Sequence, residues 1–426
     1  MLNMSVILYT ARHVFPVSAP PIVSGAVATE NGRIVAVGTA AGLRERYPGA
    51  YVVNLGKYAL LPGLVNAHTH LELTHHAGHV PDSLPLIEWI YPLVSYSRTR
   101  TPEDFERAAY TGVEMLKASG TVAVGEICTF GQSVRPLIES GLHGIVYYGL
   151  LSPDPARADE LLRKGQQQIE RWRREYPQDR IRFGLAPHTP YTVSAELLRA
   201  TADWCRAEGV PLSIHTAESP PETQFLRDAT GPIADLLYAG AGWPVHPERA
   251  PTVSPVAYLE LLDVLATQPL LAHGVHVDAG DVARIAHAEA AVTHCPRSNT
   301  RLRCGRMPYK LYRTAGVRLA LGTDSLASSP SLAVWDDAIA AHGLHSAAGE
   351  TPTPTELLRL ATLGGADALG LADELGTLEP GKLATMACIP LDALSPTEQA
   401  DADAVLAALV VGRVKPEALP STSSSA

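Results

Sequence analysis

His68 and His70 close the apolar run Leu61-Pro62-Gly63-Leu64-Val65-Asn66-Ala67 and stand two residues apart. A strand has a side-chain period of two, so both imidazoles fall on one face. Neutral imidazole is the commonest protein ligand for a divalent metal, and two on one face suit a single ion. Other apolar runs also end in polar groups: Ser213-Ile214-His215-Thr216-Ala217-Glu218, Leu270-Leu271-Ala272-His273 and Leu321-Gly322-Thr323-Asp324. Three histidines and an aspartate make a mononuclear site with nitrogen and oxygen ligands and space for a water. A further histidine and a glutamate stand beside it. Taken singly, each residue has a plainer reading. His215 would pass as a hydrogen-bonded core histidine, and Asp324 as a helix cap. Its rivals Asp336 and Asp337 lie inside a helical pattern. His75, His76 and His79 crowd the first loop and read as loop residues, and Cys295 and Cys304 read as structural.

These residues need elements to position them. From Leu60 onward, short apolar runs alternate with longer amphipathic segments. The expected strands are Leu64–Ala67, Thr121–Ile127, Gly144–Leu150, Arg182–Ala186, Pro211–His215, Leu270–His273, Ala291–His294 and Arg318–Gly322. Helical patterns cover Pro102–Ser119, Ala156–Tyr176, Ser194–Glu208, Ala279–Glu289 and Leu332–His345. Eight such alternations predict an α/β fold, a (β/α)8 TIM barrel, whose functional residues sit at the C-terminal strand ends. The first 60 residues read as short strands with a hairpin signal at Glu30-Asn31-Gly32. Strand-like segments return at Gly376-Thr377-Leu378 and Ala384–Ile389, giving a small β-sandwich built from both chain ends. The expected division is 1–60 and 373–415 for the sandwich, 61–372 for the barrel and 416–426 for a flexible tail. The long span Ser219–Gln268 is expected to cover the site.

Composition narrows the function. The 426 residues carry a net charge of −10 with no dense Lys/Arg cluster, which argues against phosphate-driven nucleic-acid binding. Five scattered cysteines without a CxxC pair suit a reducing compartment. Met1–Tyr9 has no signal-peptide pattern and no run is long enough to span a membrane, so a cytoplasmic protein without a membrane partner is expected. A small-molecule substrate is the expected partner, and a homo-oligomer stays open.

The chain resembles the amidohydrolase superfamily from its N-terminal β unit to about Ile389. The motifs are Pro62-Gly63-Leu64-Val65-Asn66-Ala67-His68-Thr69-His70, Pro187-His188-Thr189-Pro190-Tyr191, His215-Thr216-Ala217-Glu218, Ala272-His273-Gly274, His294-Cys295-Pro296-Arg297-Ser298-Asn299 and Gly322-Thr323-Asp324-Ser325. They look like the mononuclear branch of deaminases and triazine chlorohydrolases. The fourth strand ends Gly184-Leu185-Ala186-Pro187 without a lysine, which disfavours the two-metal branch. The resemblance implies one Zn2+ (or Fe2+) per chain on His68, His70, His215 and Asp324. It implies that Asp324 takes a proton from the metal-activated water, that His273 hydrogen-bonds the attacking hydroxide, and that Glu218 protonates a substrate ring nitrogen. His188 is implied to contact substrate, as are Glu218 and His273.

Within that branch the motifs are most similar to deaminases of adenine nucleosides with modified 5′ groups. These are the aminodeoxyfutalosine deaminases of menaquinone biosynthesis and the S-adenosylhomocysteine/methylthioadenosine deaminases. Leu84-Pro85-Leu86-Ile87-Glu88-Trp89-Ile90 carries part of the likeness. The second group has a ribose-binding glutamate shortly after the Glu-Trp pair, where this chain reads Pro92-Leu93-Val94-Ser95. The resemblance therefore favours 6-aminodeoxyfutalosine. The alternatives are S-adenosylhomocysteine or methylthioadenosine, another aminopurine or pyrimidine, or chlorohydrolase chemistry. Glu72 and Arg297 are further candidates for the substrate's far end, Arg297 toward a carboxylate or in a structural ion pair. After Gly381-Lys382 this chain has Leu383-Ala384-Thr385 in place of the family's Ala-Asp, in the β unit rather than the site.

Overall fold

A computed structural model describes residues 6–420, so the expected tail lies partly outside the described residues, as does part of the Met1–Tyr9 segment. The chain divides into two compact units. One holds the described residues through Asn66, Met115–Ala123 and the residues from Ala333 onward; the other holds Ala67–Glu114 and Val124–Leu332.

In the first unit both chain ends build one sheet. Its strands are β1 (Ile7–Val14), β2 (Ile22–Val23), β3 (Gly25–Glu30), β4 (Arg33–Thr39) and β5 (Tyr51–Pro62). The sheet's later strands, β14 (Met386–Pro390) and β15 (Glu417–Ala418), come from the other chain end. The order is β15-β14-β5-β1-β3-β4, with β2 paired to β1. Asn31 and Gly32 turn β3 into β4 at φ 51° and 76°, the left-handed pair a two-residue hairpin needs. Side chains alternate across β3. Ala26 and Ala28 join Leu8, Ala36 and Leu43 on one side, while Val27 joins Val14, Ile34, Leu55, Leu60 and Cys388 on the other.

No sandwich is seen among the described residues. One face of the sheet carries the short helix Ala40–Arg46 through Leu43. β5 runs twelve residues, longer than the short strands expected there, because β1 and β14 pair with successive stretches of it. Gly376-Thr377-Leu378 is a bend and coil rather than a strand. The backbone stays paired as far as Ala418, further than the sequence indicated.

The eight expected α/β strands are all present, their ends within two residues of expectation. They are β6 (Leu64–Thr69), β7 (Thr121–Cys128), β8 (His143–Leu150), β9 (Ile181–Pro187), β10 (Ser213–Thr216), β11 (Leu270–His273), β12 (Ala291–His294) and β13 (Arg318–Leu321). They form two four-stranded sheets, β6-β7-β8-β9 and an all-parallel β10-β11-β12-β13. Two isolated parallel bridges, Leu185 with Leu212 and Thr69 with Asp324, join the edges of these sheets. Helices fill the connections where expected. Ala195–Glu208 starts at Ser194, whose hydroxyl accepts the Leu197 N–H, and Ala279–His287 starts with an Asp278/Asp281 capping box.

Two segments build an apolar wall in the second unit. One is the helix Leu86–Ser97 after β6, which the sequence reading omitted; the other is the span between β10 and β11. Trp89 from the first and Phe225, Ile233 and Tyr238 from the second pack together with Tyr191 and Cys304. Fully burying a side chain of this size is worth about 1.5–3 kcal/mol, enough to hold a long connection in place.

Candidate active site

β6 delivers the first pair. His68 is buried completely, and neither of its ring nitrogens has a hydrogen-bond partner among the described residues. Its backbone carbonyl accepts from the amides of Thr323 and Asp324, which locks β6 to the chain leaving β13. Its Cβ lies against Gly322, where an added Cβ would sit 2.8 Å away. His70 follows just past the strand. Glu126, near the end of β7, accepts from Thr69 Oγ1 at 2.7 Å and from the Leu71 amide at 3.0 Å, gripping the chain on both sides of His70.

His215 ends β10. Its Nδ1–H donates to the His188 carbonyl at 3.0 Å, so its Nε2 carries the lone pair. That Nε2 is 3.3 Å from His70 Nε2. Candidate ligand atoms of His68, His70 and His215 all lie within 4.8 Å of one another. Asp324 Oδ1 is 3.4 Å from His70 Nε2 and 3.9 Å from His68 Nε2. Its Oδ2 is filled by Ser298 Oγ at 2.6 Å and Ser328 Oγ at 2.8 Å.

The electrostatics match a ligand set. Burial lowers the pKa of His68 far below the usual histidine range, helped by His215 and His70. Burial also takes His70 down to about 4, although Asp324 pulls the other way. His215 is lowered too, chiefly by burial. Burial works to raise Asp324, but His70, His273 and Ser298 outweigh it and keep the carboxyl ionised. Neutral imidazoles and an ionised carboxylate therefore gather at one point, and His68 has no other hydrogen-bond partner among the described residues. These donors fit one divalent ion.

Glu218 and His273 border that point. His273 Nε2 is 3.6 Å from Glu218 Oε1, and Cys304 Sγ lies 3.8 Å from the same oxygen. Burial pushes Glu218 up to about 7, so it holds a proton for part of the time at neutrality. Glu222 sets the turn before it, accepting from the amides of Ala217 at 2.9 Å and Glu218 at 2.8 Å. His273 and Asp324 sit in the left-handed backbone region at φ 76° and 60°, and Ala217 at 51°. Such positions cost about 1–3 kcal/mol each and cluster at functional sites. His188 holds Thr192 Oγ1 at 2.8 Å, its ring centroid 5.2 Å from His215.

Other candidates are occupied elsewhere. The Glu72 carboxylate accepts the amides of Thr129, Phe130 and Gln132 at 2.8, 2.8 and 2.6 Å, so it anchors a loop rather than facing a ligand. Arg297 donates to Ser331, to its hydroxyl at 2.7 Å and its carbonyl at 2.9 Å, a structural tie. His75 and His76 bond Thr111 and Ser97, and His79 stacks on Tyr96; all three line a separate cavity of about 320 Å³.

The sequence reading missed the supporting residues Glu126, Glu222, Ser298, Ser328 and Asn299. One signal was available: Glu126 is the lone charge in the otherwise apolar run Thr121–Cys128.

The sequence profile of the amidohydrolase family matches residues 59–414. The chain belongs to the amidohydrolase family. A shorter match over residues 25–50 is to the imidazolonepropionase-like composite domain of bacteria. This amidohydrolase is 37% identical over 353 residues to the aminodeoxyfutalosine deaminase of Deinococcus radiodurans, covering 81% of each chain. It is 33% identical over 374 residues to the 5-methylthioadenosine/S-adenosylhomocysteine deaminase of Syntrophobacter fumaroxidans, covering 85% of this chain and 79% of that one. A solved adenosine deaminase from Xanthomonas campestris, with zinc bound, matches at a TM-score of 0.79 and 29% identity, covering 95% of this chain and 88% of that one.

Proposed function

We propose that this amidohydrolase is a metal-dependent hydrolytic deaminase of an adenine nucleoside, with 6-aminodeoxyfutalosine the first candidate substrate. The observation that carries this reading is the convergence of three neutral imidazoles and the Asp324 carboxylate beside a Glu218 that keeps a proton near pH 7. His68, His70, His215 and Asp324 would hold one Zn2+ or Fe2+. Bound there, the ion would lower the pKa of a water toward ~7 and supply a nucleophile at neutral pH.

The side chains do the rest. Glu218 donates its proton to a ring nitrogen of the substrate, which makes the neighbouring amidine carbon electrophilic, and then carries a proton to the departing amine. Asp324 accepts the water's proton. His273 hydrogen-bonds the attacking oxygen, and His188 contacts the nucleoside. Groups of this kind contribute about 10²–10⁴-fold each. The net reaction replaces C–NH2 by C–OH and releases ammonia.

A second substrate reading, methylthioadenosine or S-adenosylhomocysteine, is supported by the relative from Syntrophobacter fumaroxidans. We further propose that the eight parallel-type strands close into a barrel, which the two edge bridges favour. The proposed boundaries lie near residues 60 and 372, with the end-built unit carried on through β15 at Glu417–Ala418, and the proposed location is the cytoplasm. No described helix is long and apolar enough to cross a membrane.

The test combines metal analysis with an ultraviolet assay of adenine-to-hypoxanthine conversion across a nucleoside panel. About one zinc or iron per chain, ammonia release, and a Glu218→Ala variant that keeps metal but loses activity are expected. A folded protein with no bound metal and no deaminated nucleoside would sink the reading.

A further inference from the structure

The ring of His273 is tightly enclosed. It is 1% exposed, it stacks on His215 at a centroid distance of 5.5 Å, and its edge meets His68 at 5.6 Å. Its backbone is held at φ 76°. One freedom remains to such a ring, namely which nitrogen carries the proton. Nδ1 points away from Glu218 and meets Asn299 Oδ1 at 2.9 Å. Asn299 is fully buried, and its Nδ2 has no hydrogen-bond partner among the described residues. The bond to His273 is therefore what this side chain is positioned to make. Leaving a buried amide nitrogen unpaired costs about 1–3 kcal/mol, which argues that the other end of the amide has a function.

We infer that Asn299 is a positioning residue that fixes His273 as the Nδ1–H tautomer, so that Nε2 faces the site as a hydrogen-bond acceptor. A neutral imidazole has one donor and one acceptor nitrogen, and the bond made by one decides the other. With Nδ1–H given to Asn299 Oδ1, Nε2 presents its lone pair toward Glu218, 3.6 Å away. His273 then accepts a hydrogen bond from the attacking oxygen, whose proton goes to Asp324, and aims that oxygen's remaining lone pair at the substrate carbon. An Nε2–H would instead occupy that lone pair.

The same short helix, Pro296–Arg301, also carries Ser298, which donates to Asp324 Oδ2 at 2.6 Å. One turn of chain thus orients two groups of the site, one on β11 and one after β13.

This inference rests on the deaminase reading for its kinetic part but not for its spectroscopic part. Nitrogen-15 NMR of histidine-labelled protein reads the tautomer of each ring without substrate, and a His273→Gln spectrum identifies the signal by its loss. The wild-type ring is expected as Nδ1–H, and Asn299→Asp, an acceptor only, keeps it so. Asn299→Leu, of similar size and without an acceptor, should shift the ring toward Nε2–H. It should also lower kcat by about 10–100-fold, the usual range for a residue that orients a site histidine, with KM changed only a few-fold and the metal content kept. An Nε2–H signal in the wild type overturns the inference, since that is the tautomer an amide turned end for end would impose. An unchanged tautomer in Asn299→Leu also overturns it. If that variant does not fold, the wild-type and Asn299→Asp spectra still decide. If no nucleoside is deaminated, the functional reading fails while the tautomer result stands.

Discussion

His68 depends on a residue with no side chain. A Cβ at position 322 would lie 2.6 Å from Thr293 Cγ2 and 2.8 Å from His68 Cβ, closer than side-chain atoms approach. Gly322→Ala must therefore push β6 and β13 apart or tilt the imidazole. Overpacking of this kind costs about 1–3 kcal/mol. The expected result is a folded protein with a lower melting temperature and well below one metal per chain; full metal occupancy at unchanged affinity would show that the site absorbs the methyl group elsewhere. Gly322 illustrates what the sequence discloses at this scale. His68, His70, His215 and Asp324, the proposed ligands, stand out by type and place, because ligand chemistry would need those side chains. The residues that hold them do not. A buried glutamate such as Glu126 is recognised only when Thr69 and Leu71, 57 and 55 positions away, are seen to bond it.

The elements that carry these residues were legible where the pattern is local and obscure where it is not. Eight apolar runs separated by amphipathic helices specify β6 to β13, because each strand is buried on both faces and each helix shows its own period. The helix Leu86–Ser97 was hidden by Pro92, which breaks the usual pattern but sits in its second turn. In the first unit a second sheet is not seen among the described residues, and the sequence could not separate the cases: short alternating strands look alike whether a sheet or the helix Ala40–Arg46 lies on them. Loops joined by carboxylates are equally silent in sequence. Glu72 gathers three backbone amides of the chain following β7. Glu72→Gln would replace one acceptor oxygen by an NH2 group facing N–H donors. Each amide left unpaired costs about 1–3 kcal/mol. Faster hydrogen exchange at residues 129–132 and a lower melting temperature are expected, with the metal ligands unaffected. Protection equal to wild type at those amides would contradict the anchoring role.

At the scale of the whole molecule, the histidines outside the ligand cluster tie the fold to pH. His76 is buried, stacked on Phe105 at 6.0 Å and edge-on to Tyr96 at 4.9 Å, with Nε2 on Ser97 Oγ at 2.8 Å. Ser97 Oγ gives its own hydrogen to the Leu93 carbonyl, so His76 must be the donor in that bond, a role the neutral ring fills. Burial brings its pKa down to about 4, and Arg100, His79 and His75 push the same way. In the unfolded chain the same group takes a proton near 6.5. The unfolded state therefore binds the additional proton between these values, and stability falls as pH falls. The contribution is complete above about pH 6.5 and is lost progressively down to about pH 4. His76→Gln can keep a donor for Ser97 but cannot titrate. At pH 7.5 the variant should be the less stable of the two, because it loses the ring contacts. As the pH is lowered the wild type should lose stability that the variant does not, so the gap between their denaturant midpoints should narrow steadily over that window. The comparison cancels whatever acid does to the metal ligands, which both proteins share. A gap that stayed constant from pH 7.5 to 4 would mean that His76 is charged in the folded protein or exposed to solvent, contrary to the packing of its ring.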